Sequence, residues 1–136
     1  MLEKFSGTVV HGLGKGKEFG FPTANIKLNN NELSIEKGVY AVVVNIDNQQ
    51  YYGMLYVGTR PTFHLQEITI EIYFFEFNED VYDKQISFQI VQKIRDEIQF
   101  QSTDDLIKQL HYDKEMVYIF FKHLPKTISD LLILNS

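Results

Sequence analysis

From residue 68 to residue 74 the chain alternates without a break. Ile68, Ile70, Ile72 and Phe74 fall on one side, with Thr69, Glu71 and Tyr73 between them. A period of two predicts a strand with one face buried and one face polar. Residues 39–46 follow a different rule: Val39-Tyr40-Ala41-Val42-Val43-Val44-Asn45-Ile46 is almost continuously apolar and rich in β-branched side chains. That pattern predicts a strand buried on both faces. Asp47-Asn48 then reads as a tight turn, and residues 50–57 as the returning hairpin partner. Two further strands are predicted over 5–11 and 23–28, and another through Ile86, Phe88 and Ile90 toward Arg95. Thr59-Arg60-Pro61-Thr62 breaks the pattern and is expected to be a loop, and Asn78-Glu79-Asp80 a turn. About six strands with short connections and no helix between them favour a closed antiparallel barrel, which leaves no sheet edge unpaired.

The period changes near the end. Ser102-Thr103-Asp104-Asp105 has the form of a capping box, and Leu106, Leu110, Val117, Phe121 and Leu124 recur at helical spacing. Pro125 is expected to stop this helix. Its apolar stripe is expected to pack on its own barrel. Residues 128–134 could add a short apolar turn.

Composition narrows the picture. The 136 residues, 44% of them hydrophobic, suffice for one domain with a real core. The expected layout is a single domain over 1–136, with a core of about 5–122 and a tail at 123–136. The 11 Phe and 8 Tyr favour strands. A net charge of −5 without a basic stripe argues against nucleic-acid binding. With no cysteine there is neither disulfide nor thiolate chemistry, as suits a reducing compartment. Met1-Leu2-Glu3-Lys4 does not open a signal peptide, and no apolar run approaches membrane length. The expectation is a cytoplasmic monomer that engages no membrane.

Candidate chemistry starts in Gly12-Leu13-Gly14-Lys15-Gly16-Lys17, where three glycines let the backbone approach a ligand and two lysines supply positive charge. The run is neither a P-loop, since Glu18 follows Gly16-Lys17, nor a Gly-x-Gly-x-x-Gly fingerprint. On these residues alone it is either a phosphate loop or an ordinary glycine-rich connection. Thr23 and Asn25 stand two apart on an extended segment, so both oxygens can face one hard cation. They can equally pin the loop by local hydrogen bonds. Spacing alone makes Glu71 a solvated charge on the outer face of its strand. His11, His64, His111 and His123 lack metal-ligand spacing, and His111 with Glu115 suggests a surface pair on the helix.

Taken together, several stretches resemble riboflavin kinase, the domain that in bacteria usually forms the C-terminal half of a bifunctional riboflavin kinase/FAD synthetase. They are Val9-Val10-His11-Gly12, the Gly-Lys-Gly-Lys run, Gly20-Phe21-Pro22-Thr23-Ala24-Asn25, Gly38-Val39-Tyr40, Val57-Gly58-Thr59-Arg60-Pro61-Thr62-Phe63, Ile70-Glu71-Ile72 and Arg95-Asp96-Glu97-x-x-Phe100. The resemblance covers nearly the whole chain, and its most specific part is Pro22-Thr23-Ala24-Asn25. It implies a mainly β, six-stranded Greek-key barrel with a C-terminal α-helix. It also implies Mg²⁺- and ATP-dependent phosphorylation of the riboflavin 5′-hydroxyl, giving FMN and ADP. Glu71 would be the catalytic base, and Thr23 and Asn25 the metal and phosphate residues. Gly12, Gly14, Lys15, Gly16 and Lys17 would cradle the nucleotide phosphates. Arg95, Glu97 and Phe100 would contact the flavin, although Arg95 and Glu97 also suit a plain surface pair. Tyr40 and Thr59 are further candidates beside the nucleotide.

Departures from the family pattern matter as well. Lys15 stands where arginine is common, keeping the charge but losing the bidentate fork. Tyr56 replaces a small polar residue, and Asp83 replaces a glycine in a turn that aspartate tolerates. No His-x-Gly-His pattern occurs, so adenylylation of FMN is not expected from this chain. A competing account is a flavin- or nucleotide-binding barrel without turnover.

Overall fold

The computed structural model describes residues 3–10, 23–29, 35–62, 65–75, 81–124 and 126. Six strands follow in order: β1 (Lys4–Val10), β2 (Ala24–Leu28), β3 (Gly38–Ile46), β4 (Gln49–Thr62), β5 (Leu65–Phe74) and β6 (Gln85–Asp96). One long helix, α1 (Thr103–Lys122), comes after them. All strand pairs are antiparallel, and the order β1-β2-β5-β4-β3-β6 closes on itself through the β1–β6 pair. The barrel is the one the strand pattern favours, and the helix the one its helical spacing implies.

The interior is filled from every strand, by Val9, Ala24, Ile26, Val42, Val44, Leu55, Val57, Ile70, Ile72, Ile86 and Phe88 among others. β3 is buried on both faces, as its unbroken apolar run requires. One face lines the interior, while Val39, Ala41 and Val43 point outward and meet Val117 and Phe121 of α1. Two hydrophobic layers thus share one strand, and the helix is fixed to the outside of the barrel. Ser102 caps α1, its side chain accepting from the Asp105 N–H at 3.2 Å, and Asp104 and Asp105 face the positive end of the helix dipole. The helix ends at Lys122 with His123 as its C-cap.

Two local features differ from the pattern or refine it. The stretch expected to be a loop, residues 59–62, continues β4 and pairs with β5 as far as Thr62↔Leu65. β3 pairs with β4 only up to Gly38↔Val57, so beyond that point no strand among the described residues pairs with that side of β4. A proline is tolerated on such an edge, because its missing N–H need not face a ladder. In β6 the pairing with β3 slips twice, between Val39/Tyr40 and between Ala41/Val42. Each slip adds a residue on β6. Val91 and Ile94, which the slips leave out of register, both join the layer beneath α1. The β3–β4 turn is made by Asp47 (φ 52°) and Asn48 (φ 67°), and Asp83 also has positive φ (67°). These are short polar residues that accept the left-handed region.

Candidate active site

Burying Ala24 and Ile72 inside the barrel decides where their neighbours go. The two residues face each other across β2 and β5, and the next pair along is Asn25↔Glu71. Since side chains alternate, Asn25 and Glu71 must share the outer face. Thr23, just before β2, adds a third oxygen: its Oγ1 donates to Glu71 Oε1 at 3.0 Å in a part-buried position. Thr23, Asn25 and Glu71 are therefore brought together.

On the other side of Glu71 stands Tyr56, its partner on β4. Tyr56 in turn faces Val39, and Val39 faces Arg95. One lateral row thus runs Asn25–Glu71–Tyr56–Val39–Arg95 over the outer surface of five strands. Tyr56 is half-buried and packs on the layer under α1. Its ring lies along β4 over Gly58, where an added Cβ would come within 2.6 Å of Tyr56 Cε1. Glycine at 58 keeps that seat open. Burial raises the Tyr56 pKa above its usual value; Glu97 and then Glu71 add to the rise, while Arg95 opposes it. The phenol is held neutral, as an O–H donor.

The far end of the row is locked. Arg95 Nε donates to both oxygens of Asp113 at 2.9 and 3.0 Å, and Nη2 donates to Oδ2 at 2.7 Å. Gln109 Nε2 also donates to Asp113 Oδ1 at 2.9 Å, and Arg95 Nη1 to the Asp96 carbonyl at 3.0 Å. Asp113 is 1% exposed and the Arg95 side chain 12%. The Arg95 partner is therefore a helix residue rather than Glu97. The guanidinium also sits 5.9 Å from the Phe100 ring centroid. Glu97 Oε2 is buried and meets no hydrogen-bond donor among the described residues. Arg95 and Phe100 thus meet at the end of the row, while Glu97 lies close enough to Tyr56 for its charge to act on the phenol. The fixed point of Arg95, Asp113, was missed from sequence. A signal was present: an acid three residues after Leu110 and four before Val117 lies on the apolar stripe, where a charge needs a partner.

Gly12, Gly14, Lys15, Gly16 and Lys17 lie outside the described residues. Tyr40 lies in the inner core, its hydroxyl donating to the Glu36 carbonyl at 2.5 Å. Thr59 pairs with Ile68 near the end of the β4–β5 hairpin. No group of three or more His, Cys, Asp or Glu able to hold a metal occurs among the described residues. The donors around Glu71 instead suit a hard cation that keeps its own water and phosphate ligands: a hydroxyl, an amide and a carboxylate, all oxygens. A groove of about 610 Å³ between β4 and α1, lined by Tyr51, Tyr52, Phe121 and Lys122 among others, contains none of these residues. No helix among the described residues is long and apolar enough to cross a membrane.

Comparison with known proteins bears on the family and the fold. The family model for riboflavin kinase (Flavokinase) matches residues 3–121. The bifunctional riboflavin kinase/FMN adenylyltransferase of Bacillus subtilis is 36% identical over 123 residues, 88% of this chain and 39% of that protein. The RNA-binding riboflavin kinase RibR of the same organism is 38% identical over 109 residues, 79% of this chain and 46% of that protein. Among solved structures, a protein from Streptococcus pneumoniae described as a macrolide-efflux protein superposes with a TM-score of 0.77 at 37% identity, over 85% of this chain and 38% of that one. Riboflavin kinase from Trypanosoma brucei gives a TM-score of 0.64 at 24% identity, over 90% and 81%, and supports the fold. The chain spans less than half the length of the curated relatives named here.

Proposed function

The chain belongs to the riboflavin kinase family, and from that premise we propose that it transfers the γ-phosphoryl group of ATP to the 5′-hydroxyl of riboflavin. The observation that carries this reading is the placement of Glu71 on the outer face between Asn25 and Tyr56, with Thr23 bonded to its carboxylate. In the proposed step Glu71 accepts the proton of the 5′-hydroxyl as that oxygen forms its bond to the γ-phosphorus. The bond from the γ-phosphorus to the β,γ-bridging oxygen breaks, and ADP leaves with that electron pair. General-base help of this kind is worth ~10²–10⁴-fold. The Thr23 hydroxyl orients the carboxylate, and Thr23 with Asn25 would hold Mg²⁺ through neutral oxygens. The metal supplies charge neutralisation on the phosphates when bound. Gly12, Gly14, Lys15, Gly16 and Lys17 are assigned to the phosphates, and Arg95, Glu97 and Phe100 to the flavin end.

Incubation with riboflavin, ATP and Mg²⁺ followed by chromatographic separation of the flavins tests the reading. FMN is the expected product. FAD would contradict a single activity for this chain. Riboflavin bound but unchanged would favour the non-catalytic module, and no binding would overturn both.

A further inference from the structure

We propose that Tyr56 determines acceptor specificity by hydrogen-bonding a secondary hydroxyl of the polyol chain between the flavin ring and the reacting end. The inference rests on the reading above, in which the reacting hydroxyl lies at Glu71 and the ring lies toward Arg95, Glu97 and Phe100.

The row of residues supplies the argument. Tyr56 is the β4 partner of Glu71 on the outer face, so an acceptor whose reacting hydroxyl lies at Glu71 has Tyr56 as its lateral neighbour. The next residue of the row, Val39, is fully buried beneath Val117 and Phe121 of α1, so the acceptor has to leave the row at Tyr56, toward Glu97, whose charge acts on the phenol. Tyr56 is only half-buried there and offers a polar atom to whatever passes. Among the described residues no donor or acceptor bonds its hydroxyl. Its ring is seated over Gly58, so the phenol is aimed rather than swinging free. On that side Glu97 Oε2 is buried without a donor among the described residues. A chain rich in hydroxyls answers both groups, since a hydroxyl accepts from the phenol and donates to the carboxylate. An apolar chain of equal length would leave them unpaired, which is costly in a part-buried site.

The test compares riboflavin with an isoalloxazine bearing a 5-hydroxypentyl chain, which keeps the terminal hydroxyl and lacks the secondary ones. Dissociation constants are read by quenching of flavin fluorescence, which needs no turnover, and KM is read beside them. Tyr56→Phe is expected to weaken riboflavin roughly threefold to tenfold, the worth of one neutral hydrogen bond, and to leave the hydroxypentyl flavin unchanged. Gly58→Ala keeps the hydroxyl but pushes the ring from its seat, and should reduce the same preference. Equal effects of Tyr56→Phe on both flavins, or none on either, would overturn the proposal. Wild-type protein that binds riboflavin but forms no FMN would sink the kinase reading instead, while the binding ratio still decides the role of Tyr56.

Discussion

At the scale of single residues, Glu71 shows how one side chain can satisfy two accounts. It is an outer-face strand charge, as its alternation demands, and it is also the carboxylate to which Thr23 donates. Glu71→Gln keeps the size and the contact with Thr23 but removes the carboxylate proposed as the base. Turnover should fall by ~10²–10⁴ while flavin and nucleotide binding hold, as steady-state FMN formation and fluorescence titration will report. A variant of near-normal rate would return Glu71 to a plain surface charge. Asn25→Ala should act in the ground state as well, weakening Mg-nucleotide binding along with turnover. Tyr56 supplies a pH dependence. Its folded pKa is raised, chiefly by burial, so its contribution to stability is complete below the unfolded value near 10 and is lost as pH climbs through the folded one. Urea unfolding at pH 8 and above pH 10 should therefore show wild type losing more stability than Tyr56→Phe. Parallel losses would count against it.

At the scale of elements, α1 is held to β6 by a buried ion pair with nearly all its hydrogen-bonding capacity used. Asp113 accepts from both Arg95 and Gln109, and Arg95 is the last member of the lateral row. Removing one partner leaves a buried charge uncompensated, at a typical cost of ~3–5 kcal/mol. Asp113→Ala should show a loss of that order in urea denaturation. Asp113→Asn, which still accepts a hydrogen bond, should lose less. Equal stability of Asp113→Ala and wild type would mean that the pair contributes nothing. Gly38 matters at this scale too. Any Cβ there would collide with the Arg95 carbonyl, so the close approach of β3 to β6 beside the first register slip requires glycine.

At the scale of the whole molecule, the two hydrophobic layers meet in β3, and this predicts one cooperative unit. Val117 is fully buried against Val39, Ala41 and Val43, the reverse side of the strand that also fills the barrel. Val117→Ala should cost about 1.5–3 kcal/mol. It should do so without separating helix loss, followed by far-UV circular dichroism, from barrel loss, followed by the β-sheet amide band in the infrared. Two resolved transitions would show that the helix is an appendage rather than part of the core.

The sequence determined the elements, because each depends on a local period or a local cap. Alternation placed Ile70 and Ile72 on one face and Glu71 on the other, and Ser102 with Asp105 marked where the helix begins. The unbroken run of β3 required a cover on both sides, although it did not say that α1 would supply the outer one. Pro61 misled because its cost depends on whether a neighbouring strand is present, and that is settled by the length of β3 rather than by the residues around the proline. The motifs named Thr23, Asn25 and Glu71, but their meeting depends on the β2–β5 register, a pairing of segments far apart in the chain. Tyr56 beside Glu71 and Asp113 under Arg95 could be assigned only after closure of the barrel fixed which strand neighbours which. Local periodicity is written in neighbouring residues, whereas a site built across strands exists only once distant segments have paired.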